Sequence, residues 1–343
     1  MLLEDLPLEA FFFRVVYNIR RKDDQMPTIK DVAKKAGVSI STASYALNNQ
    51  SNVHPETKRK ILAIAKEMNY YPNASARNLK TKRTGNVGVF VYGFAGPVFS
   101  DVLEGIRQAL QANDLNIIVS SGKASSTLLN ERQIDGAIVF DGTLSDETLL
   151  HYASFGHPLF VLDRLLQGPN IYPSLIDNEG LVYRFIQEMI DKGYRDFGYL
   201  SGPTIAFNNN HRYDGFKQAL IEHGLSHTYL QGDFTIQSGY QIGIELIKSK
   251  KIPKFIFCAN DESAIGLIQA LKEHNINIPK EVSVAGFDNI VLGNYVTPKL
   301  TTISIDHIEW GKQVASALID LFNEKTPDLQ IPLGKIIHRE TTL

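Results

Sequence analysis

From Gly85 onward, short apolar runs alternate with amphipathic stretches of helical period: "NVGVFVY", "VFSDVLEGIRQALQAN", "NIIVS", "DGAIVF", "PLFVL", "DFGYLSG", "FIFCAN" and "VSVAGF". Apolar runs without polar alternation suit strands buried on both faces, and such strands separated by helices assemble into parallel sheets flanked by helices. The number of runs fits two lobes better than one. The expected boundary is near residues 176–180, in "LIDNEG", and a return crossing falls near residues 300–306, in "KLTTISID". Ligands of open parallel sheets bind beyond the carboxyl ends of the strands, so a cleft between two lobes brings two sets of those ends together. A chain of 343 residues has room for this body and a smaller domain.

The smaller domain is marked by charge. Residues 26–84 hold eleven Lys or Arg and three acidic residues, a balance of +8, while the whole chain carries −2, which leaves −10 for the rest. A basic module joined to an acidic body predicts a polyanionic partner for the first and a different partner for the second. Within the module, Thr28 followed by Asp31 forms the pattern of a capping box, starting a helix "IKDVAKKA" that Gly37 stops. Ser39 caps a second helix, "SISTASYALN", and Pro55 opens a third whose Ile61, Leu62, Ile64, Ala65 and Met68 form its apolar stripe. Two helices joined by a tight turn and braced by a third make a helix-turn-helix module spanning residues 26–71, whose second helix can enter the major groove.

That second helix has no charge although lysine and arginine surround it. Base edges are read by hydrogen bonds and methyl contacts, whereas cations neutralise phosphates, so the reading helix needs none of its own. Ser41 and Thr42 are placed to reach base or phosphate, with Tyr45 one turn further and Ile40 suited to a thymine methyl; Ala43, Ala46 and Leu47 suit packing against the first helix. Residues 72–84, after the break at Pro72, are too short and polar for an isolated helix and read as a linker that orders only in context.

The runs "TIKDVAKKAGVSISTASYALNN" and "ETKRKILAIAKEMNYYPNASARNLKT" closely resemble the bacterial lactose-repressor and galactose-repressor family of transcription regulators. The resemblance continues through "NVGVFV", "IDGAIVF", "VLDR", "RYDGFKQAL", "CANDESAIGLIQALKE", "VSVAGFDN" and "KLTTISID", and ends in "HRETT", which looks like that family's closing strand. It covers residues 26–343. The resemblance implies an α/β fold: a small all-α helix-turn-helix domain followed by a two-lobed body like periplasmic sugar-binding proteins, residues 85–343, that binds effector and dimerises.

The same resemblance implies a homodimer on double-stranded, inverted-repeat operator DNA, with a small effector, a carbohydrate or sugar phosphate, controlling operator affinity. Thr28, Ser39, Ser44 and Asn48 join Ile40, Ser41, Thr42 and Tyr45 in the implied DNA-facing set. The linker, implied to fold as a hinge helix on DNA, adds Asn73, Ala76 and Leu79. Leu79 takes the place of a leucine that wedges into the minor groove, where unstacking one step costs about a few kcal/mol and is offset by added contacts. Arg212 of "RYDG", Asn260 of "AND" and Asp288 of "GFDN" fall where the family holds its effector. Asp163 of "LDR" and Tyr92 belong to the same set, and Phe234 of "GDF" matches an aromatic position that stacks on ligand, although an ordinary core phenylalanine fits the same sequence. An arginine fork, an amide and a carboxylate together suit vicinal hydroxyls. His307 aligns near the cleft and is expected as a surface histidine.

Two departures stand out. Tyr45 replaces the arginine or histidine common at that reading position, so the base preference does not transfer. The stretch "SSGKASSTLLNERQIDG" is shorter than the usual passage and predicts a trimmed helix in the first lobe.

No HExxH, P-loop or clustered histidines appear, and "GFAG" is a poor dinucleotide fingerprint, so neither an enzyme nor a cofactor or metal site is expected. A free-standing sugar-binding protein is the alternative for the body alone, but it would need export and would have no use for the basic module. The single cysteine, Cys258, reads as a buried apolar residue and excludes an internal disulfide. No apolar run approaches a membrane span, and the acidic start lacks a secretory cleavage pattern, which predicts a cytoplasmic protein. Residues 1–25 fall outside the resemblance, "FFFRVVY" has no place in the three-helix module, and Met26 immediately precedes "PTIKDVA". The working chain is therefore expected to start at Met26 or Pro27.

Overall fold

The computed structural model of the chain describes residues 27–48, 52–71, 78, 83–122, 125–131, 133–330 and 332–343; residues 1–25 lie outside this set. The chain divides into two compact units that meet between Thr84 and Gly85.

In the first unit, α1 (Ile29–Ala36), α2 (Ile40–Leu47) and α3 (Pro55–Glu67) are bounded by local chemistry. The Thr28 backbone N–H and hydroxyl both donate to the Asp31 carboxylate, at 2.8 and 2.7 Å, which holds that carboxyl below its ordinary range. Gly37 ends α1 at φ +70°, a conformation that costs a residue without Cβ little. Ser39 Oγ accepts the Thr42 N–H at 3.1 Å and so caps α2. The core is small: Val32, Ala33 and Ala36 meet Ala43 and Ala46, with Val53, Ile61 and Ala65 closing the third side. Leu62 does not belong to this stripe. It is 44% exposed, because Ile61 and Ala65 set the inward direction of α3 and Leu62 lies about 100° round the helix from Ile61.

The second unit is built on two sheets. The first runs β2 (Asn116–Ser120), β1 (Asn86–Val91), β3 (Gly136–Phe140), β4 (Leu159–Leu162), β5 (Ile171–Ser174), all parallel. Its helices are α4 (Pro97–Gln111), α5 (Ser126–Asn130) and α6 (Asp146–Ser154). The five-residue α5 is the trimmed helix that the short segment predicts. Pro173 sits in β5, at the sheet edge, where a missing N–H is tolerated.

The second sheet runs β11 (Lys335–Ile337), β10 (Thr301–Ser304), β9 (Ser283–Asp288), β8 (Phe255–Cys258), β6 (Phe197–Leu200), β7 (His227–Leu230). It is parallel except for β10 against β11. It carries α7 (Asn178–Asp191), α8 (Phe207–Ile221), α9 (Ile236–Ser249) and α10 (Asp261–Glu273), whereas α11 (His307–Phe322) packs on α4 of the first lobe. An added Cβ on Gly105 would stand 2.0 Å from the Ile308 carbonyl, so glycine is what lets α4 and α11 approach so closely.

The chain passes between lobes at 175–177 and 305–306, and a third time between α11 and β11, a crossing that sequence patterning does not announce. The closing strand is also displaced from "HRETT": the ladder with β10 is Lys335–Ile337. The residues of "HRETT" are held by a mixture of contacts: the Glu340 and Thr341 N–H groups donate to the Lys299 carbonyl at 3.0 and 3.2 Å, the Val284 N–H donates to the Thr341 carbonyl at 3.0 Å, the Arg339 N–H donates to Thr301 Oγ1 at 2.9 Å and the Thr301 N–H to Thr341 Oγ1 at 2.8 Å. Cys258 is fully buried among apolar residues, and burial pushes its thiol up. Among the described residues no helix is long and apolar enough to cross a membrane.

Candidate nucleic-acid interface and effector site

The outer face of α2 presents Ile40, Ser41, Tyr45 and Asn48, while Ala43 and Ala46 are buried beneath. Its polar groups are held locally. The Ser39 and Thr42 hydroxyls lie 2.8 Å apart, and Asn48 Nδ2 donates to the Ser44 carbonyl at 2.9 Å. Thr28 is committed to its capping box. What remains outward is a half-exposed isoleucine, a serine and a tyrosine, which fits reading of base edges rather than charge pairing. The cations lie on the neighbouring helices, and Lys35 is paired with Glu67 at 2.8 Å. Asn73, Ala76 and Leu79 lie outside the described residues.

In the body, Arg212 on α8 is buried and projects into the seam between the lobes. Its Nε donates to Asn178 Oδ1 at 2.8 Å, Nη1 donates to the Ala259 carbonyl at 2.6 Å, and the guanidinium stacks 3.7 Å from the centre of the Phe287 ring. Nη2 is left facing Asp288 Oδ1 at 3.5 Å. Asp288 ends β9 at φ +108°, a conformation that L side chains rarely adopt and that commonly marks a functional position. Asn260 caps α10, accepting the Ser263 N–H at 3.1 Å, and its amide donates to the Phe234 carbonyl at 2.8 Å. The Phe234 ring lies so close over Gly202 that a Cβ there would meet it at 2.2 Å.

From the opposite lobe Asp163, at φ +51° after β4, accepts from Asn208 Nδ2 at 3.4 Å through Oδ2, while Oδ1 is buried without a partner. Burial raises its carboxyl to about 6 against the pull of Arg212 and His307. Arg212, Asn260, Asp288, Asp163 and Phe234 therefore lie along one seam. Tyr92 does not share its burial: the residue is 66% exposed, and its hydrogen bonds are made by its backbone, the carbonyl accepting from the Ser121 hydroxyl at 2.9 Å and the N–H donating to the Phe140 carbonyl at 3.4 Å.

His307 corrects the sequence reading. It is 4% exposed, at the first turn of α11 where the chain re-enters the first lobe, and Nε2 stands 3.5 Å from Asp288 Oδ1. Both ring nitrogens lack a hydrogen-bond partner. The sequence places it immediately after a crossing segment, and that position was the available signal for its burial. Two further residues escaped notice. Asn178 orients Arg212. Asp261, fully buried, accepts from the Thr302 hydroxyl at 2.6 Å and the Ile290 N–H at 2.9 Å and so fixes the loop that carries Asp288. Burial pushes the Asp261 carboxyl well up, and the Asp288 charge adds to the rise. Among the described residues no cluster of His, Cys, Asp and Glu is placed to hold a metal.

Comparison with known proteins bears on both sites. The family described as bacterial regulatory proteins, lacI family, matches residues 28–73, and a periplasmic binding protein-like domain matches residues 186–342. The HTH-type transcriptional repressor PurR of Proteus mirabilis is 31% identical over 319 residues, 89% of this chain and 93% of that protein. The chain belongs to the LacI family of bacterial regulatory proteins. Catabolite control protein A of Priestia megaterium is 32% identical over 92% of this chain and 99% of its own length. The crystal structure of the Lac repressor dimer bound to operator and the anti-inducer ONPF superposes with a TM-score of 0.80 at 25% identity, covering 92% of this chain and 99% of that one. A LacI-family regulator from Enterococcus faecium with bound ribose matches with a TM-score of 0.69 at 27% identity over 75% of this chain and 98% of its own. This LacI-family chain is accordingly a DNA-binding transcriptional repressor that responds to a small molecule. It is not an enzyme, and a free-standing solute-binding role is not favoured.

Proposed function

We propose that the protein works in the cytoplasm as a homodimer on an inverted-repeat operator and senses a carbohydrate in the interlobe seam. The observation that carries the effector reading is the meeting of Arg212, Asp288 and Asp163, from both lobes, in one buried place with polar valences left over. Buried polar groups without partners are costly, and a hydroxyl-rich ligand offers both donors and acceptors. The sugar-bound relative from Enterococcus faecium supports the same ligand class. Asn260, Phe234 and Tyr92 complete the proposed contact set. An effector held by groups from both lobes couples its binding to their relative setting.

At the other end, Ile40, Ser41, Thr42, Ser44, Tyr45 and Asn48 read each half-site, Thr28 and Ser39 fix the helix ends against phosphates, and Asn73, Ala76 and Leu79 engage the minor groove. Calorimetry tests the effector site: Asp288→Ala is expected to lose roughly 1 to 3 kcal/mol of sugar affinity through unpaired polar groups, and unchanged affinity would remove Asp288 from the site. For the hinge, Leu79→Ala should weaken operator binding more than binding to random DNA, and equal losses would count against a wedge.

A further inference from the structure

The seam holds more carboxylates than cations. Asp163 and Asp288 lie at strand ends, half-buried Glu262 begins α10 and faces Gly96 of the other lobe, and Asp101 on α4 and Asp306 before α11 are close enough for charge to be felt in this region. Burial raises the carboxyls of Asp101, Asp163 and Glu262 alike. Against them stand Arg212, with Nε and Nη1 already spent, and His307. Arg164, next to Asp163 in sequence, turns away to Asp146 and the Leu144 carbonyl. Arg339 is spent on the Leu300 carbonyl and Asn289 Oδ1, both at 2.6 Å. A phosphate dianion entering here would meet several carboxylates in a low dielectric with one partly free guanidinium edge to oppose them.

What the seam does offer is hydrogen bonding. The ring nitrogens of His307 make no hydrogen bond within the seam, Nε2 standing 3.5 Å from Asp288 Oδ1, and Asp163 Oδ1 supplies an acceptor. We propose that His307 is a specificity-determining effector contact and that, with Asp163, it selects an uncharged hydroxyl-bearing effector over the phosphorylated form of the same molecule. The inference rests on the effector site proposed above.

Titration calorimetry on the full chain with ribose, glucose and cellobiose, and with ribose 5-phosphate and glucose 6-phosphate, tests it. At least one uncharged sugar should bind, any phosphate ester should bind at least about tenfold more weakly than its parent, and His307→Leu should weaken the sugar about tenfold, the size of one lost buried hydrogen bond. His307→Gln, which retains a donor and an acceptor, should lose less, with thermal unfolding of each variant checking that it folds. An ester binding as tightly as its parent, no uncharged sugar binding, or a folded His307→Leu variant with unchanged affinity overturns the proposal. The readings separate through Asp288→Ala. An ester whose binding depends on Asp288 defeats the selectivity but keeps the seam as the effector site, whereas a sugar indifferent to Asp288→Ala removes the site itself.

Discussion

The reading face of α2 and the interlobe seam solve recognition in opposite ways. On α2 the polar groups are uncharged, and those that make hydrogen bonds find them within about one turn, as Ser39 with Thr42 and Ser44 with Asn48. In the seam the groups are buried and charged, drawn from both lobes, and left with spare valences at Asp163 and His307. The first surface is complete before its partner arrives, so changing it should cost DNA binding and little else. The second is coupled to the fold, so changing it should alter stability as well as ligand affinity.

Arg212→Ala should have the largest effect. It strands Asn178, the Ala259 carbonyl and Asp288 in a buried place, and removal of one partner from such a set costs about 3–5 kcal/mol. Denaturant unfolding measures it, and a loss below about 1 kcal/mol would break the contrast with the reading face. Alanine at this position is thus a poor probe of ligand contact.

Asp163→Asn should act in the other direction. Because the folded protein holds this carboxyl at about 6, above its ordinary 3.8, ionisation works against folding. The penalty is full above pH 6, shrinks as pH falls through about 6 to 4, and is absent below. The variant should therefore be more stable than wild type at pH 7.5, by up to about 3 kcal/mol, with the advantage lost by about pH 4. Thermal unfolding across that range checks it, and an advantage independent of pH would locate the effect elsewhere.

Ser39→Ala comes next, costing about 1 kcal/mol through the lost cap on α2, readable by unfolding of the DNA-binding unit. Tyr45→Ala should change stability by less than about 0.5 kcal/mol while altering discrimination between operator sequences in a binding assay. A large stability loss there would mean that the reading face is part of the core after all.

The same contrast explains what the sequence made legible. Caps, turns and the buried alanines of α2 depend on residues within a turn or two, so Thr28, Gly37 and Ser39 announced the helical unit directly. The alternation of apolar runs gave the two parallel sheets, yet the short β5 and β7, with Pro173 in one and partly exposed residues in the other, lack that apolar pattern. The seam depends on contacts between segments far apart in the chain. Residue type and resemblance pointed to Arg212, Asn260 and Asp288, but His307 looked like a surface residue because its burial arises only when α11 packs on α4. Asn178 and Asp261 act through other side chains and have no pattern of their own. The third crossing and the displaced closing strand were hidden because backbone and hydroxyl hydrogen bonds to distant segments, rather than an apolar run, fix residues 338–342.

The most direct test is operator binding measured by fluorescence anisotropy in the presence of whichever uncharged sugar titrates into the protein, for wild type and Asp288→Ala. Coupling through the seam predicts that saturating sugar shifts the wild-type operator affinity by about tenfold or more, within the usual 1–3 kcal/mol of allosteric coupling, and that the same sugar concentration leaves Asp288→Ala nearly unmoved. A shift of equal size at equal sugar concentration in both proteins would contradict the account.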